Sequence, residues 1–157
     1  MSSVPMTQRG KDTLEAELKQ LKTVERPAVI VAIATARAHG DLSENAEYDA
    51  AREKQSFIEG RISDIEDKIA RAQVIEPKSV RSERIVFGAT VVLLDTDSEE
   101  KKTYQIVGVD ESDIKLGRIS IESPIARQLI NKSAGDTVTV RVPKGESEYE
   151  VLEVRYE

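Results

Sequence analysis

Apolar positions in the first half of the chain recur at spacings of three and four. Leu14, Leu18, Leu21, Val24, Ala28, Val31 and Thr35 form one stripe. Ala51, Gln55, Ile58, Ile62, Ile65, Ile69 and Ala72 form a second, stepping 4-3-4-3-4-3 with charged residues between. This is the period of a helix that buries one face against a partner helix. A few residues, His39-Gly40-Asp41-Leu42-Ser43, separate the stripes. So short a connection predicts two long helices folded back antiparallel, seam against seam. Pro27 falls inside the first arm, where a missing N–H and a bulky ring are expected to interrupt and bend it.

The second half changes to period two. Residues 86–94, 103–109, 115–121, 137–142 and 148–154 are predicted strands, with Thr137-Val138-Thr139-Val140-Arg141-Val142 alternating most clearly. Asp95-Thr96-Asp97-Ser98 and Pro143-Lys144-Gly145 carry turn chemistry. Ser123-Pro124 opens a short helix through about Asn131, with Ser at the N-cap and Pro at the first helical position. The join is expected near Glu76-Pro77-Lys78-Ser79, where the heptads stop. The chain thus divides into residues 1–76, a helical hairpin with its tip near 39–45, and residues 77–157, a small sheet with one short helix. The fold class is α+β.

Composition narrows the chemistry. Of 157 residues, 33% are charged and only 4% aromatic, so a single thick core is not expected. There is no Cys, which excludes disulfides, thiolate metal sites and Cys nucleophiles. The one His, His39, excludes a multi-His zinc site. No apolar run approaches the ~20 residues of a membrane span, and the opening MSSVPMTQRG lacks the apolar stretch of a signal peptide. The chain is therefore expected to be soluble and intracellular, without a membrane partner. Net charge is −6, shared equally by the two halves, so there is no broad basic footprint for free nucleic acid. Any nucleic-acid contact should be local and secondary to binding a protein.

The hairpin tip carries the candidate chemistry. Asp41 and Glu44 are three apart where the second helix is expected to begin, which can put both carboxylates on one side of its first turn. One reading is a capping box, Asp41 accepting a backbone N–H and Glu44 reaching back. The other is a pair of metal-ligating carboxylates, and a cap can also hold a carboxylate in place. Arg37 and Arg52 fall in the last turns below the tip. They are either solvated arginines or a short basic step for a phosphate backbone. His39 reads as a turn residue, Gly40 supplies backbone freedom at the bend, and Tyr48 reads as a packing residue beneath the tip.

The stretch Ala38-His39-Gly40-Asp41-Leu42-Ser43-Glu44-Asn45-Ala46-Glu47-Tyr48, followed by Ala50-Ala51-Arg52-Glu53, resembles the tip signature of the bacterial Gre transcript-cleavage factors. The resemblance extends to Pro5-Met6-Thr7 and Gly10, to Phe87-Gly88-Ala89-Thr90-Val91, and to Ser123-Pro124-Ile125-Ala126-Arg127. It implies an N-terminal coiled-coil hairpin and a C-terminal FKBP-like domain. It implies a partner, RNA polymerase, whose secondary channel the hairpin enters while the second domain docks at the rim. There the tip would help hold an Mg²⁺ that exists only in the complex, and the polymerase would cut the extruded RNA 3′ end of a backtracked complex. Carried over residue by residue, Asp41 and Glu44 are the metal and catalytic carboxylates. Arg37 and Arg52 are RNA contacts. Ser123, Pro124 and Ile125 belong to the polymerase-docking surface. No small-molecule substrate and no cofactor of the isolated protein are expected. Two exposed carboxylates are too few for the six oxygens Mg²⁺ takes, so the tip alone should catalyse nothing. It could complete a two-metal arrangement in a site that already holds one ion.

Three other readings remain at this stage. A Gre-like channel binder that inhibits polymerase would be favoured by an altered tip, and this tip is intact. A prolyl isomerase needs an aromatic-lined pocket, and residues 77–157 contain only Phe87, Tyr104, Tyr149 and Tyr156. A coiled-coil adaptor explains the heptads but not the tip.

Overall fold

The computed structural model describes residues 2–40 and 44–157. The chain forms two compact units, Lys11–Arg71 and a second made of Ser2–Gly10 with Ala72–Glu157.

The first unit is a helical hairpin. Its outgoing arm runs through α1 (Gln8–Gln20, of which Lys11 onward belongs here), a π turn (Leu21–Glu25) and α2 (Arg26–Ala38). The return arm is α3 (Ala46–Ala70). On α3 the predicted stripe is the buried one: Ala51, Ile58, Ile62 and Ile65 are all buried. On the outgoing arm the predicted stripe holds only as far as Leu21. Beyond it the buried residues are Val29, Ile33 and Ala36, while Val24, Ala28, Val31 and Thr35 are exposed. Val31 is 64% exposed and Val29 only 2%. The π turn is the cause. Its i→i+5 bonding, seen in the Arg26 N–H donating to the Leu21 carbonyl, adds one residue to the turn and rotates everything after it. Pro27 follows directly, so the donor it lacks falls where the helix has already rearranged its bonding.

Ion pairs flank the seam. Arg61 grips Glu17 with two bonds of 2.6 and 2.9 Å, and Arg26 grips Glu59 with bonds of 2.9 and 2.7 Å. Lys22 reaches Glu66 at 2.9 Å. These pairs join opposite arms and favour the observed register over a slipped one.

The second unit is built on a five-stranded sheet. Its strands are β3 (Thr90–Asp95), β4 (Lys101–Val107), β5 (Arg118–Ser120), β6 (Thr137–Val142) and β7 (Gly145–Arg155), in the order β5-β4-β3-β7-β6. All neighbours are antiparallel except β4 and β5. The register shifts on β7 so that Leu152 is the extra residue opposite Val92 and Leu93. The predicted strand 115–121 is shorter than expected. Ile114–Leu116 is a 3₁₀ turn, closed by Gly117, with Ile114 and Leu116 exposed. Both predicted turns are present. Asp95 accepts the Asp97 and Ser98 backbone N–H groups, at 3.0 and 3.3 Å, and these bonds hold its carboxyl below the ordinary value. Pro143-Lys144 joins β6 to β7.

The core lies between the sheet and the helix α4 (Pro124–Leu129), which buries Ala126 and Leu129 against Ile85, Leu93, Ile106, Val140 and Val151.

The compact helical unit ends at Arg71, just before the expected join near Glu76. A two-stranded parallel ladder, absent from the sequence reading, pairs β1 (Val4–Met6) with β2 (Ala72–Val74) and ties both segments into the second unit. Three residues are too few to show a period. Thr7 continues the tie. Its hydroxyl accepts the Gly10 N–H at 3.1 Å, and its own N–H donates to Glu111 at 2.9 Å. Glu111 also accepts from Gly108 at 3.1 Å and takes the Thr7 hydroxyl proton as a hydrogen bond. Gly10 leaves room for this arrangement: a Cβ there would sit 2.3 Å from the Glu111 carboxyl carbon and displace that side chain from its bonds.

Candidate functional site

The hairpin tip is organised by the ends of α2 and α3. α2 stops at Ala38, and the His39 N–H folds back to the Ala36 carbonyl at 3.1 Å. Gly40 follows with φ of +124°, a conformation that favours glycine. Of the two expected tip carboxylates, Asp41 lies outside the described residues. Glu44 is exposed, and its side chain makes no hydrogen bond or ion pair among the described residues.

The cap of α3 is not where the sequence reading put it. Asn45 is the N-cap, its Oδ1 accepting the Tyr48 N–H at 3.0 Å. Glu44, in a 3₁₀ turn, therefore precedes this cap, and the Asp41–Glu44 capping box expected from the sequence rests on Asp41, which lies outside the described residues. Asn caps as well as Asp, and its amide has a further use, donating to the Ala36 carbonyl at 2.8 Å. Glu47 and Asp49 occupy the first turn, where the helix dipole favours acids. Asn45 is the tip residue that sequence reasoning missed. A strong capping residue directly before two first-turn acids was the available signal.

Two more contacts cross the hairpin. His39 Nδ1 lies 2.9 Å from Glu47 Oε2, so His39 is a paired turn residue. The Arg37 guanidinium sits over the Tyr48 ring, 5.8 Å from its centre, and Tyr48 is half-buried as expected of a packing residue. Arg37 and Arg52 come together: both are exposed and line one groove with Ile30, Ile33, Ala34 and Gln55. The Arg52 side chain has no ionic partner among the described residues.

No group of three or more His, Asp or Glu side chains able to hold a metal occurs among the described residues. Glu44 nonetheless offers what Mg²⁺ takes, a hard oxygen donor not engaged by any side chain or backbone group among the described residues.

In the second unit, Ser123 caps α4 by accepting the Ala126 N–H at 3.3 Å. Pro124 is exposed and lines a groove with Arg127, Gln128, Thr139, Val140, Arg141 and Glu146. Ile125 is half-buried and packs against the sheet core. Of the three residues expected at a docking surface, Pro124 is thus the exposed one, Ser123 and Ile125 being half-buried.

Comparison of the chain with known proteins points to one family. Residues 4–74 match the family model described as transcription elongation factor, N-terminal, and residues 80–156 match transcription elongation factor, GreA/GreB, C-terminal. The chain is 62% identical over 157 residues to transcription elongation factor GreA of Alkalilimnicola ehrlichii, covering 99% of each chain. It is 61% identical over 158 residues to that of Halorhodospira halophila, covering 100% of each. Among solved structures, the GreA factor homolog 1 (Gfh1) of Thermus thermophilus aligns at a TM-score of 0.45 and 25% identity, over 98% of this chain and 99% of that one. The chain belongs to the GreA/GreB family of transcription elongation factors.

Proposed function

We propose that this protein binds RNA polymerase, inserts its hairpin into the secondary channel, and stimulates the polymerase's own Mg²⁺-dependent cleavage of the RNA 3′ end in backtracked complexes, so that elongation resumes. The observation that carries the proposal is the division of labour at the tip. Asn45 caps α3, which leaves the Glu44 carboxylate exposed and unengaged by its own helix. Asp41 and Glu44 would hold Mg²⁺ together with groups of the polymerase, and the ion would activate a water for attack on the RNA phosphodiester. Arg37 and Arg52, sharing one groove, would steady the phosphates of the extruded RNA. Two carboxylates are too few for the six oxygens Mg²⁺ takes, so the protein would act on polymerase and not as an enzyme alone. The α4 surface around Ser123, Pro124 and Ile125 would dock on the polymerase. The protein would work in the cytoplasm, where the polymerase is. Among the described residues no helix is long and apolar enough to cross a membrane.

The test is transcript cleavage in a halted, backtracked polymerase complex, with and without the protein. Asp41→Asn and Glu44→Gln remove a charge each and leave the Asn45 cap untouched. Both should bind polymerase normally and lower the cleavage rate by orders of magnitude even at saturation. Pro124→Ala should weaken binding, with the maximal rate recovering at saturation, the separation between lost uniform binding and lost transition-state stabilisation. It is a cleaner probe than any change at Ile125, whose side chain also packs on the core. Near-normal cleavage by the tip variants would refute the role of the carboxylates.

A further inference from the structure

We propose that Asn45 is a positioning residue for cleavage, setting the direction of the Glu44 carboxylate by pinning the backbone beside it. The proposal rests on the cleavage-stimulating role above. Asn45 bonds the backbone of both arms with one side chain. Its Oδ1 accepts the first-turn N–H of Tyr48 at 3.0 Å, and its Nδ2 donates to the Ala36 carbonyl of α2 at 2.8 Å. The same carbonyl accepts the His39 N–H at 3.1 Å. The end of α2 and the start of α3 are thus fastened at a single oxygen. Glu44 is the residue directly before it, exposed and with no side-chain bond among the described residues. Its backbone runs straight into the pinned Asn45, so the fastening sets where the Glu44 side chain starts. The His39–Glu47 and Arg37–Tyr48 contacts brace the same turns but engage only side chains on both sides.

Capping alone does not require Asn, since Asp and Ser cap about equally well. The bond to Ala36 does require it, because an ionised Asp has no proton to donate and a Ser side chain is one atom group too short to span both partners. Asn45→Asp and Asn45→Ser therefore keep the cap and delete the cross-link, one with added charge and one without. Displacing a reacting group by about 1 Å can cost on the order of 10²-fold in rate, so both variants should cleave at least about tenfold more slowly at saturating protein. The Mg²⁺ concentration giving half-maximal cleavage should rise, a response that a purely structural residue would not show. Helix signal and polymerase affinity should stay at the wild-type values, and the melting temperature should fall by no more than a few degrees, as expected for one lost hydrogen bond. The measurement is a titration of each variant, and of Mg²⁺, against one backtracked complex. If both variants match wild type at saturation, the positioning role is overturned while the cleavage role stands. If helix signal or affinity falls in step with cleavage, Asn45 is a structural clamp and the proposal is equally overturned. If the wild-type protein itself stimulates no cleavage, it is the function that fails. In the wild-type protein the Asn45 side-chain amide protons should exchange slowly with solvent, and free exchange there would remove the cross-link from the argument whatever the variants do.

Discussion

The helical unit and the sheet unit bury apolar surface in different ways. In Lys11–Arg71 each arm offers one narrow stripe, and a residue is inside only if it lies on the line facing the other arm. Turning a helix by one residue, about 100°, takes a side chain from seam to solvent. In the second unit the inner residues of β3, β4, β6 and β7 meet α4, and Leu93, Ile106, Leu129 and Val151 are enclosed from several directions. The seam is easily shifted, and its flanking ion pairs favour one register over a slipped one. The sheet core is fixed by alternation, since a slip of one residue would turn every apolar side chain outward. One design tolerates a π turn in the middle of an arm, and the other has its irregularity, the extra residue Leu152, confined to one point of one strand pair.

Core truncation tests the contrast at its largest. Leu93 is fully buried in the sheet core, and Leu93→Ala should cost about 3–5 kcal/mol because surrounding strands cannot collapse into the cavity. The loss should be read from the near-ultraviolet signal of Tyr104, Tyr149 and Tyr156 during denaturation. Ile62 on α3 is 2% exposed, and Ile62→Ala should cost about 2–4 kcal/mol, read as loss of helix signal. A seam that lost more than the sheet core would reverse the comparison.

A finer test addresses the register after the π turn. Val29 and Val31 are two residues apart on the same helix. Val29→Ala should cost about 1–3 kcal/mol and Val31→Ala less than about 0.5 kcal/mol, because only the first leaves a gap in the seam. Equal losses would mean that the stripe continues unshifted through Leu21–Glu25. Helix melting in urea measures both.

The same position shows where the sequence was legible and where it was not. The α3 stripe was readable because nothing interrupts its 3.6-residue period. The α1–α2 stripe misled after Leu21 because Val24, Ala28, Val31 and Thr35 make an equally good pattern by spacing, and only hydrogen bonding chooses between them. Pro27 marked the place of the disturbance but not its form. The five strands and the Ser123 cap were legible from alternation and turn chemistry. β1 and β2 were not, since each takes its partner from about seventy residues away and neither has a period of its own. At the tip, Glu44, Arg37 and Arg52 could be picked out by charge and spacing. Asn45 could have been read as a cap from the acids that follow it, but its bond to Ala36, which joins the two arms, was not legible.

The smallest expected effect concerns the ion pairs that fix the seam. The Arg61 guanidinium, hydrogen-bonded to Glu17 from the opposite arm, holds the Glu17 carboxyl below its ordinary value of 4.5, with Lys68 adding to the effect and partial burial and Asp64 opposing it. A carboxyl whose folded pKa is depressed contributes stability above its unfolded pKa and loses it as pH falls through the folded one. The Glu17–Arg61 pair should therefore favour the hairpin at neutral pH and stop doing so below the ordinary carboxylate range. Its size is limited by exposure, 29% for the Arg61 side chain and 39% for Glu17, so solvent screens most of the attraction. Glu17→Gln should cost about 0.2–1 kcal/mol at pH 7 and low salt, in line with partly exposed pairs. The deficit should shrink in acid as the wild-type carboxylate is protonated, and shrink also at about 1 M salt, where the screening length falls to about 3 Å. Urea denaturation of both proteins at pH 7 and pH 3 decides the matter. A deficit of the same size at both would assign the loss to packing of the Glu17 stem instead of its charge, and the seam would then owe its register to the apolar stripe alone.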